Sequence, residues 1–259
     1  MPWQEPTPIQ SSLQSLSKFM TCSSSANQLA VLLLASGLSL QAGSYTVKPV
    51  RIELSARQLR TTIQIQNLAD EPTKVQAHVV AWNANGAEEL LTDNDEILLN
   101  PPIFTIPTGH AQFVRLGLRR APLDTKELTY RLILEEVPSP PKPGFNGLTT
   151  LLKISVPIFV KPRVSSPQLA WTLQRISNQE VKLAVQNSGN AHVQIQKLAV
   201  TTGEISGPGF VQGTVTYVLQ NARKEWVIRN GRLATAGKLL VQAQTDNGEI
   251  REDLVPSHP

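Results

Sequence analysis

Apolar and polar residues alternate with period two in almost every patterned segment of the chain from Tyr45 onward. Alternation of this kind places one apolar row on a single face of a strand, and no convincing helical stripe accompanies it. In the first half of the chain the segments are 50–54, 61–68, 75–82, 97–106, 112–118, 129–137 and 148–162. Short strands at this spacing, separated by turn residues, predict an all-β sandwich of immunoglobulin-like kind.

A second set of alternating segments follows residues 161–167, which contain two prolines, Pro162 and Pro167, and read as a short, stiff hinge. Its members are 169–175, 181–186, 192–200, 215–220, 225–229 and 239–244. The sequence therefore predicts two immunoglobulin-like β-sandwich domains, 45–163 and 164–259. Two such domains joined by a short hinge leave a cleft between them.

Residues 1–44 have the composition of a leader that contains a secretory signal peptide. Residues 29–40 are an apolar run, and the small residues Ala42, Gly43 and Ser44 follow it. The mature chain is expected to begin near Tyr45, outside the cytoplasm. The only cysteine, Cys22, precedes the apolar run, so the mature chain has no cysteine and no disulfide.

The segment 148–162 has an unusually long apolar row. Leu148, Leu152, Ile154, Val156, Ile158 and Val160 all carry even numbers. Its interior Pro157 lacks a backbone donor, which an edge strand tolerates better than a central strand. A long apolar edge strand favours pairing with another chain, and the alternative is the last core strand of a sandwich.

Residues 137–147, just before this strand, contain four prolines and two glycines. Such a composition provides few backbone donors and predicts a mobile loop. A mobile loop would let the strand extend toward a partner. A plain surface linker is the alternative.

Charge and motif content argue against several classes of function. The net charge of +4 is spread without a block of five basic residues, so no nucleic-acid partner is expected. The four histidines lie in four different segments without metal-ligand spacing. Adjacent carboxylates such as Glu88 and Glu89 point to opposite faces of a strand. We therefore expect no enzyme, metal, cofactor or small-molecule substrate.

Read in order, the segments match one family along the whole mature chain. The matching stretches are 50–52, 65–67, 75–82, 100–109, 112–116, 127–138 and 158–162. The Pro101-Pro102 segment with its downstream Arg115 is the most specific of them. The chain resembles the periplasmic pilus-assembly chaperones of the chaperone-usher pathway, the PapD-like family. The stretches 155–160, 187–190, 217–219 and 245–248 look most like its archaic branch, which serves spore-coat-U-like pilins.

The resemblance implies a function and a localisation. Such chaperones cap unassembled pilin subunits in the bacterial periplasm and deliver them to an outer-membrane usher. A pilin sandwich lacks its last strand, and the chaperone lends a strand to fill the apolar groove. The residues expected in that donated row are Leu148, Thr150, Leu152, Ile154 and Val156.

The family also anchors the subunit's C-terminal carboxylate on a pair of cations in the cleft. Arg51 matches the first cation, with an exposed strand charge as the alternative reading of this residue. The position of the second cation holds Pro157, so Lys153 or Arg115 would have to substitute.

Three further positions, Glu127, Lys161 and Asp246, match the family's interdomain salt-bridge network. Lysine at 161 replaces the usual arginine and loses its planar fork, so the hinge is expected to be looser.

The same patterns leave open an alternative function and self-association of the free protein. A secreted two-sandwich adhesion or carbohydrate-binding module is the alternative function, and it needs a surface aromatic cluster. Trp82, Trp171 and Trp226 lie instead within strand patterns, where core packing explains them. The free protein could also self-associate through its edge strand.

Overall fold

A computed structural model of the chain describes residues 45–122, 125–140, 144, 146–203 and 209–257. The predicted leader, residues 1–44, lies outside the described residues, as do 141–143 and 145 of the predicted mobile loop. The described part is almost entirely β-strand, as the alternation predicts. No helix within it is long and apolar enough to cross a membrane.

Ten strands build the first sandwich. They are β1 (Tyr45–Lys48), β2 (Ile52–Leu54), β3 (Arg60–Asn67), β4 (Thr73–Asn85), β5 (Glu88–Asp93), β6 (Ile97–Asn100), β7 (Ile103–Ile106), β8 (Ala111–Leu118), β9 (Leu128–Glu136) and β10 (Lys153–Val160). One sheet has the order β1-β3-β8-β6. The other has the order β2-β10-β9-β4-β5, with β7 paired to β4.

Eight strands and one short helix build the second sandwich. They are β11 (Leu169–Arg175), β12 (Glu180–Asn187), β13 (Val193–Thr201), β14 (Phe210–Gln212), β15 (Thr216–Val218), β16 (Arg223–Arg229), α1 (Gly231–Thr235), β17 (Leu239–Thr245) and β18 (Gly248–Leu254). The sheets are β11-β12-β16 and β14-β13-β17-β18, with β15 paired to β13. The predicted fold class of two β-sandwiches is therefore confirmed.

Each sandwich has its own buried core, formed by alternate residues of facing strands. In the first, Ile63 and Ile65 of β3 lie beside Val114 and Leu116 of β8, and all four are buried. Leu132 of β9 closes the core from the other sheet. Burial of each aliphatic side chain stabilises the fold by about 1.5 to 3 kcal/mol. The described residues contain no cysteine, so this burial stabilises them without a disulfide.

Strand β10 differs from its sequence prediction in length and in position. The strand begins at Lys153, so Leu148 and Leu152 precede it, and Leu148 is 98% exposed. Its last three residues pair in parallel with β2, with Ile158 opposite Ile52. The prediction of a strand from 148 is therefore wrong, and the edge prediction holds only for the first half of β10. Among the described strands, none pairs with that side of residues 153–157.

The hydrogen-bond register shows why Pro157 is tolerated in β10. Glu136 N donates to the Leu152 carbonyl at 3.0 Å, which makes these two residues a hydrogen-bonded pair. Antiparallel alternation then directs the backbone groups of even-numbered β10 residues toward β9 and those of odd-numbered residues toward the opposite edge. Pro157 thus removes no donor from the β9 ladder. The backbone groups of Lys153 and Ser155 face the open edge.

The two sandwiches share part of their cores. Trp82 of β4 is 1% exposed, although it belongs to the first sandwich by sequence, and it packs into the core of the second. Phe159 of β10 does the same. The hairpin that follows Trp82 continues this contact, because Arg223 N donates to the Gly86 carbonyl at 2.6 Å. Interface and core are therefore continuous at this junction.

Each sandwich has a strand that ends at a buried asparagine, Asn67 at the end of β3 and Asn187 at the end of β12. Asn67 donates through Nδ2 to the Glu71 and Ile106 carbonyls. Asn187 donates to the Ala191 and Val218 carbonyls. Both side chains are completely buried. Each amide replaces backbone partners that the following turn cannot supply.

Replacement of Asn187 by alanine should therefore destabilise the fold strongly. The change leaves the buried carbonyls of Ala191 and Val218 without donors, which should lower the free energy of unfolding by about 2 to 4 kcal/mol for the two together. Urea unfolding of Asn187→Ala measures this loss, with Asn178→Ala in an exposed turn as the matched control. Equal unfolding midpoints for the two variants would contradict the capping role.

Candidate functional site

Arg51 lies in the bend between β1 and β2, where the two sandwiches meet. Its Nη1 donates to Gln194 Oε1 at 2.9 Å and lies 3.4 Å from Asp246 Oδ2, both in the second sandwich. Its Nη2 donates to Glu53 Oε1 at 2.6 Å. The Arg51 side chain is 31% exposed. The residue therefore spans the cleft, already holds two carboxylates and remains accessible from solvent.

Glu53 links Arg51 to the start of the hinge. Its second oxygen, Oε2, accepts from Lys161 Nζ at 2.5 Å. Burial alone would raise the pKa of Glu53, but the hydrogen bond and charge of Lys161, with the charge of Arg51, lower it overall. Glu53 is therefore a stable anion between two cations.

Glu127 and Asp246 meet a histidine that the sequence did not indicate. Glu127 Oε2 accepts from both the backbone N of His192, at 2.8 Å, and its Nδ1, at 2.7 Å. His192 Nε2 lies 3.7 Å from Asp246 Oδ2, beyond hydrogen-bond distance. Asp246 Oδ1 accepts from Gln194 N at 2.9 Å. The contact between Glu127 and His192 joins the two sandwiches across a buried surface.

The structure thus places the three predicted network residues in one chain of contacts, in the order Glu127, His192, Asp246, Arg51, Glu53 and Lys161. Among the described ion pairs, none joins two of the three predicted residues directly. Lys161 is paired with Glu53 of its own sandwich. Whether the replacement by lysine loosens the hinge remains a prediction.

An aromatic cluster packs behind this chain of charges. The rings of Phe159 and His192 stack at a centroid distance of 3.6 Å. Trp82 meets Tyr217 edge to face at 5.7 Å. Burial raises the pKa of the Tyr217 hydroxyl, although the charge of Arg51 opposes the shift. The ring stack fixes the plane of the imidazole and therefore the direction in which its two nitrogens point.

Glu89 holds the other side of the junction. It accepts from Trp82 Nε1 at 2.9 Å and from Lys224 Nζ of the second sandwich at 2.6 Å. Arg131 Nη2 lies 3.5 Å from the same carboxylate, and its guanidinium covers the Trp82 ring at 3.7 Å. The junction is thus held by ionic contacts on both sides of the aromatic cluster.

Arg131 is a second cation that sequence reasoning missed. It is the cross-strand partner of Pro157, and its Nη1 donates to Ser155 Oγ at 3.1 Å. Its side chain therefore lies on the odd-numbered face of the sheet, toward the second sandwich. The only sequence signal was its position in the segment 127–138, where strand register decides which residue faces Pro157.

The two predicted substitutes for the second cation lie elsewhere. Lys153 Nζ pairs with Glu135 Oε1 at 2.5 Å, four residues before Pro157 and so about 13 Å along the strand. Arg115 lies exposed on β8, in the opposite sheet. Neither side chain lies beside Arg51.

The predicted donor row divides into two parts. Leu148 and Thr150 are exposed and precede the strand, whereas Leu152 and Ile154 are half-buried. Val156 is 3% exposed and belongs to the core of its own sandwich. Leu152 and Ile154 line a small apolar pocket together with Tyr45. Apolar surface is therefore accessible from 148 to 154 and closed at Val156.

A cavity of about 250 Å³ lies between the two sandwiches, on the Glu127 side of the junction. Its wall is largely polar and includes Glu96, Glu127 and Asn221. No described group of three or more metal-ligating side chains is placed to hold an ion.

Because salt bridges lower the pKa of Glu53 and Glu89, the junction should lose stability in acid. A carboxyl whose pKa is lower in the folded state stabilises the fold above its unfolded pKa of about 4.3, and this contribution disappears as the pH falls. We expect the thermal midpoint to fall between about pH 5 and pH 3. The fall should be smaller in Glu53→Gln and Glu89→Gln than in Glu88→Gln, the exposed control. The same acid dependence in all three variants would contradict this assignment.

Comparison with known proteins identifies the family of the N-terminal domain. The model for pili and flagellar-assembly chaperones, PapD N-terminal domain, matches residues 44–165. No curated protein sequence matches the chain.

Solved structures share the fold over most of the chain. One is the CsuC–CsuE chaperone-tip adhesion subunit pre-assembly complex from archaic chaperone-usher Csu pili of Acinetobacter baumannii, with a TM-score of 0.62 and 20% identity over 83% of this chain and 99% of that chain. Another is the Salmonella enterica SafA pilin in complex with the SafB chaperone. Its TM-score is 0.56, with 20% identity over 83% of this chain and 97% of that chain. The YadV chaperone has a TM-score of 0.56 and 17% identity over 81% of this chain and 98% of that chain. Residues 44–165 therefore form a PapD N-terminal domain, and the chain shares the fold of these solved chaperone structures.

Proposed function

We propose that this protein is a periplasmic chaperone that binds unassembled pilin subunits by strand donation and delivers them to an outer-membrane usher. The family match and the chaperone–subunit complexes among its structural relatives support this role. The role is one of binding, without catalysis. The observation that carries it is the open edge of β10 at residues 153–157.

The open edge has the chemistry that strand addition needs. The backbone groups of Lys153 and Ser155 supply hydrogen bonds to an added strand, which give register. The apolar side chains Leu148, Leu152 and Ile154 supply the surface that enters an apolar groove. Transfer of each from water contributes about 1.5 to 3 kcal/mol. Because Leu148 lies in an exposed segment, ordering of residues 148–152 accompanies binding in this proposal.

Arg51 is the proposed anchor for the subunit's terminal carboxylate. Its guanidinium lies in the cleft, and an arginine can bind a carboxylate through two parallel hydrogen bonds. We propose Arg131 as the second cation, since it faces the cleft from the position opposite Pro157. Lys153 and Arg115, the substitutes predicted from sequence, are less suited by their placement.

The carbohydrate-binding alternative gains no support from the aromatic residues. Trp82 and Trp171 are buried, and Trp226 stacks on Trp171 at 6.2 Å. Self-association through β10 remains part of the proposal for the free protein. The same open edge that pairs with a subunit can pair with a second copy.

Co-expression in a periplasm with pilin-like proteins encoded near the gene tests the proposed function. We expect one subunit to co-purify in a one-to-one complex. Ile154→Asp places a charge in the apolar row and should reduce recovery at least about tenfold. Arg51→Ala removes the anchor and should reduce recovery by a similar factor. Arg131→Ala should lower recovery less, because Arg51 remains.

The matched controls are Arg115→Ala for the arginine variants and Leu98→Asp, an exposed residue on β6, for Ile154→Asp. Both should retain the complex. Thermal midpoints of all variants separate loss of binding from loss of folding. A wild-type chain that retains no subunit would contradict the chaperone function, and loss with Ile154→Asp alone would move the anchor away from Arg51.

A further inference from the structure

Arg51 already carries resident carboxylates in the structure. Glu53 and Asp246 both lie within ion-pair distance of its guanidinium, and Gln194 accepts a further hydrogen bond. A third carboxylate cannot simply be added, because the cluster of Glu53, Asp246 and Glu127 against Arg51 and Lys161 already has an excess of negative charge. An incoming carboxylate must therefore exchange with a resident group.

Asp246 is the weaker of the two resident groups. Its Oδ2 lies 3.4 Å from Arg51 Nη1, whereas Glu53 lies at 2.6 Å and is held a second time by Lys161. Asp246 Oδ1 keeps its bond from Gln194 N when Oδ2 moves. Departure of this oxygen is thus enough to free one N–H of Arg51 Nη1, while the other still donates to Gln194.

His192 provides the alternative partner for that oxygen. Its Nδ1 bonds the Glu127 carboxylate, which can only accept, so Nδ1 carries a hydrogen. In the neutral imidazole, Nε2 then has a lone pair that faces Asp246 Oδ2 at 3.7 Å. Nε2 is buried and has no hydrogen-bond partner among the described residues. A buried polar atom without a partner is costly, and a proton on Nε2 would give it one in Asp246.

We propose that Asp246 is an exchangeable occupant of Arg51, and that carboxylate binding is coupled to proton uptake by His192. As the ligand carboxylate binds Arg51, Asp246 Oδ2 turns to His192 Nε2, which takes one proton from solvent. The added negative charge is balanced by the proton, so the net charge of the cluster is unchanged. This inference rests on the proposed role of Arg51 as the anchor and adds its regulation.

The groups around His192 fit this coupling. Glu127 precedes β9 and Asp246 lies between β17 and β18, and both favour a cationic imidazole. Phe159 of β10 contributes an apolar ring, and Tyr217 of β15 a hydroxyl-bearing ring at 5.7 Å. The charge of Arg51 opposes protonation. A carboxylate bound to Arg51 neutralises that charge, so binding and protonation assist each other, and the binding should strengthen as the pH falls.

The test uses the full mature chain with N-acetylglycine as the carboxylate probe and N-acetylglycinamide as its neutral isostere. Histidine-selective isotope labelling, with His192→Gln to assign the signal, reports the protonated fraction of His192 by NMR. At fixed pH near neutrality, N-acetylglycine should raise that fraction, and the amide should not. Arg51→Ala should abolish the effect.

Asp246→Asn separates exchange from simple attraction. The amide keeps the Gln194 contact but removes the resident charge, so the probe should bind about fivefold more tightly at neutral pH, by roughly 1 kcal/mol. Because no resident carboxylate then turns to His192, the bound probe should raise the protonated fraction of His192 much less than in the wild type. Asp253→Asn, an exposed change on β18, is the matched control and should behave as the wild type.

Two results would overturn the exchange. One is Arg51-dependent binding of N-acetylglycine that leaves His192 unchanged, and the other is no binding of the probe by the folded wild-type chain. Neither result bears on the proposed function, which the co-purification experiment tests separately. If instead no subunit co-purifies while the probe still raises the protonated fraction of His192, the proposed function fails and the coupled carboxylate site remains.

Discussion

The structure depends on strand β10, which contributes side chains to the cores of both sandwiches and leaves part of its backbone edge open. Its even-numbered residues Val156, Ile158 and Val160 fill the core of the first sandwich, while Phe159 enters the core of the second. Its first half leaves one backbone edge open. The last half is covered by β2, so the strand is anchored at one end and available at the other. A strand fixed in this way can offer its edge without unfolding the sandwich that carries it.

The junction between the sandwiches gives the open edge a fixed neighbourhood. Trp82 and Phe159 bury apolar surface across the boundary, and burial is the larger source of stability there. The ionic contacts around Arg51 and Glu89 contribute less energy because they are partly exposed, but they set direction. Arg51, in the bend before β2, and Arg131, on β9, consequently both reach the cleft. Their positions depend on the register of β9, β10 and β2 rather than on local sequence.

Much of the fold could be predicted because strand alternation is a local signal. The segments 61–68, 112–118 and 181–186 closely match β3, β8 and β12. The start of β10 was predicted too early because the alternation continues to Leu148, whereas the pairing strand β9 ends at Glu136, beside Leu152. A pattern within one segment does not indicate where its partner ends.

The site was less accessible to sequence reasoning. Arg51, Glu127, Lys161 and Asp246 came from a resemblance, and the structure places all four at one junction. The residues that connect them, His192 and Glu53, could not be identified from sequence, because His192 contacts Glu127 across 65 positions and Glu53 contacts Lys161 across 108. Arg131 was missed for the same reason.

The most direct test of strand donation is amide hydrogen exchange of β10 at single-residue resolution, in the free chain and in the subunit complex. The amides of Lys153 and Ser155 face the open edge and should exchange rapidly in the free protein. In the complex, the added strand should slow both by about a hundredfold or more. The amides of Ile154 and Val156, bonded to β9, should be protected in both states. Rapid exchange of Lys153 and Ser155 in a one-to-one complex would contradict strand donation by this edge.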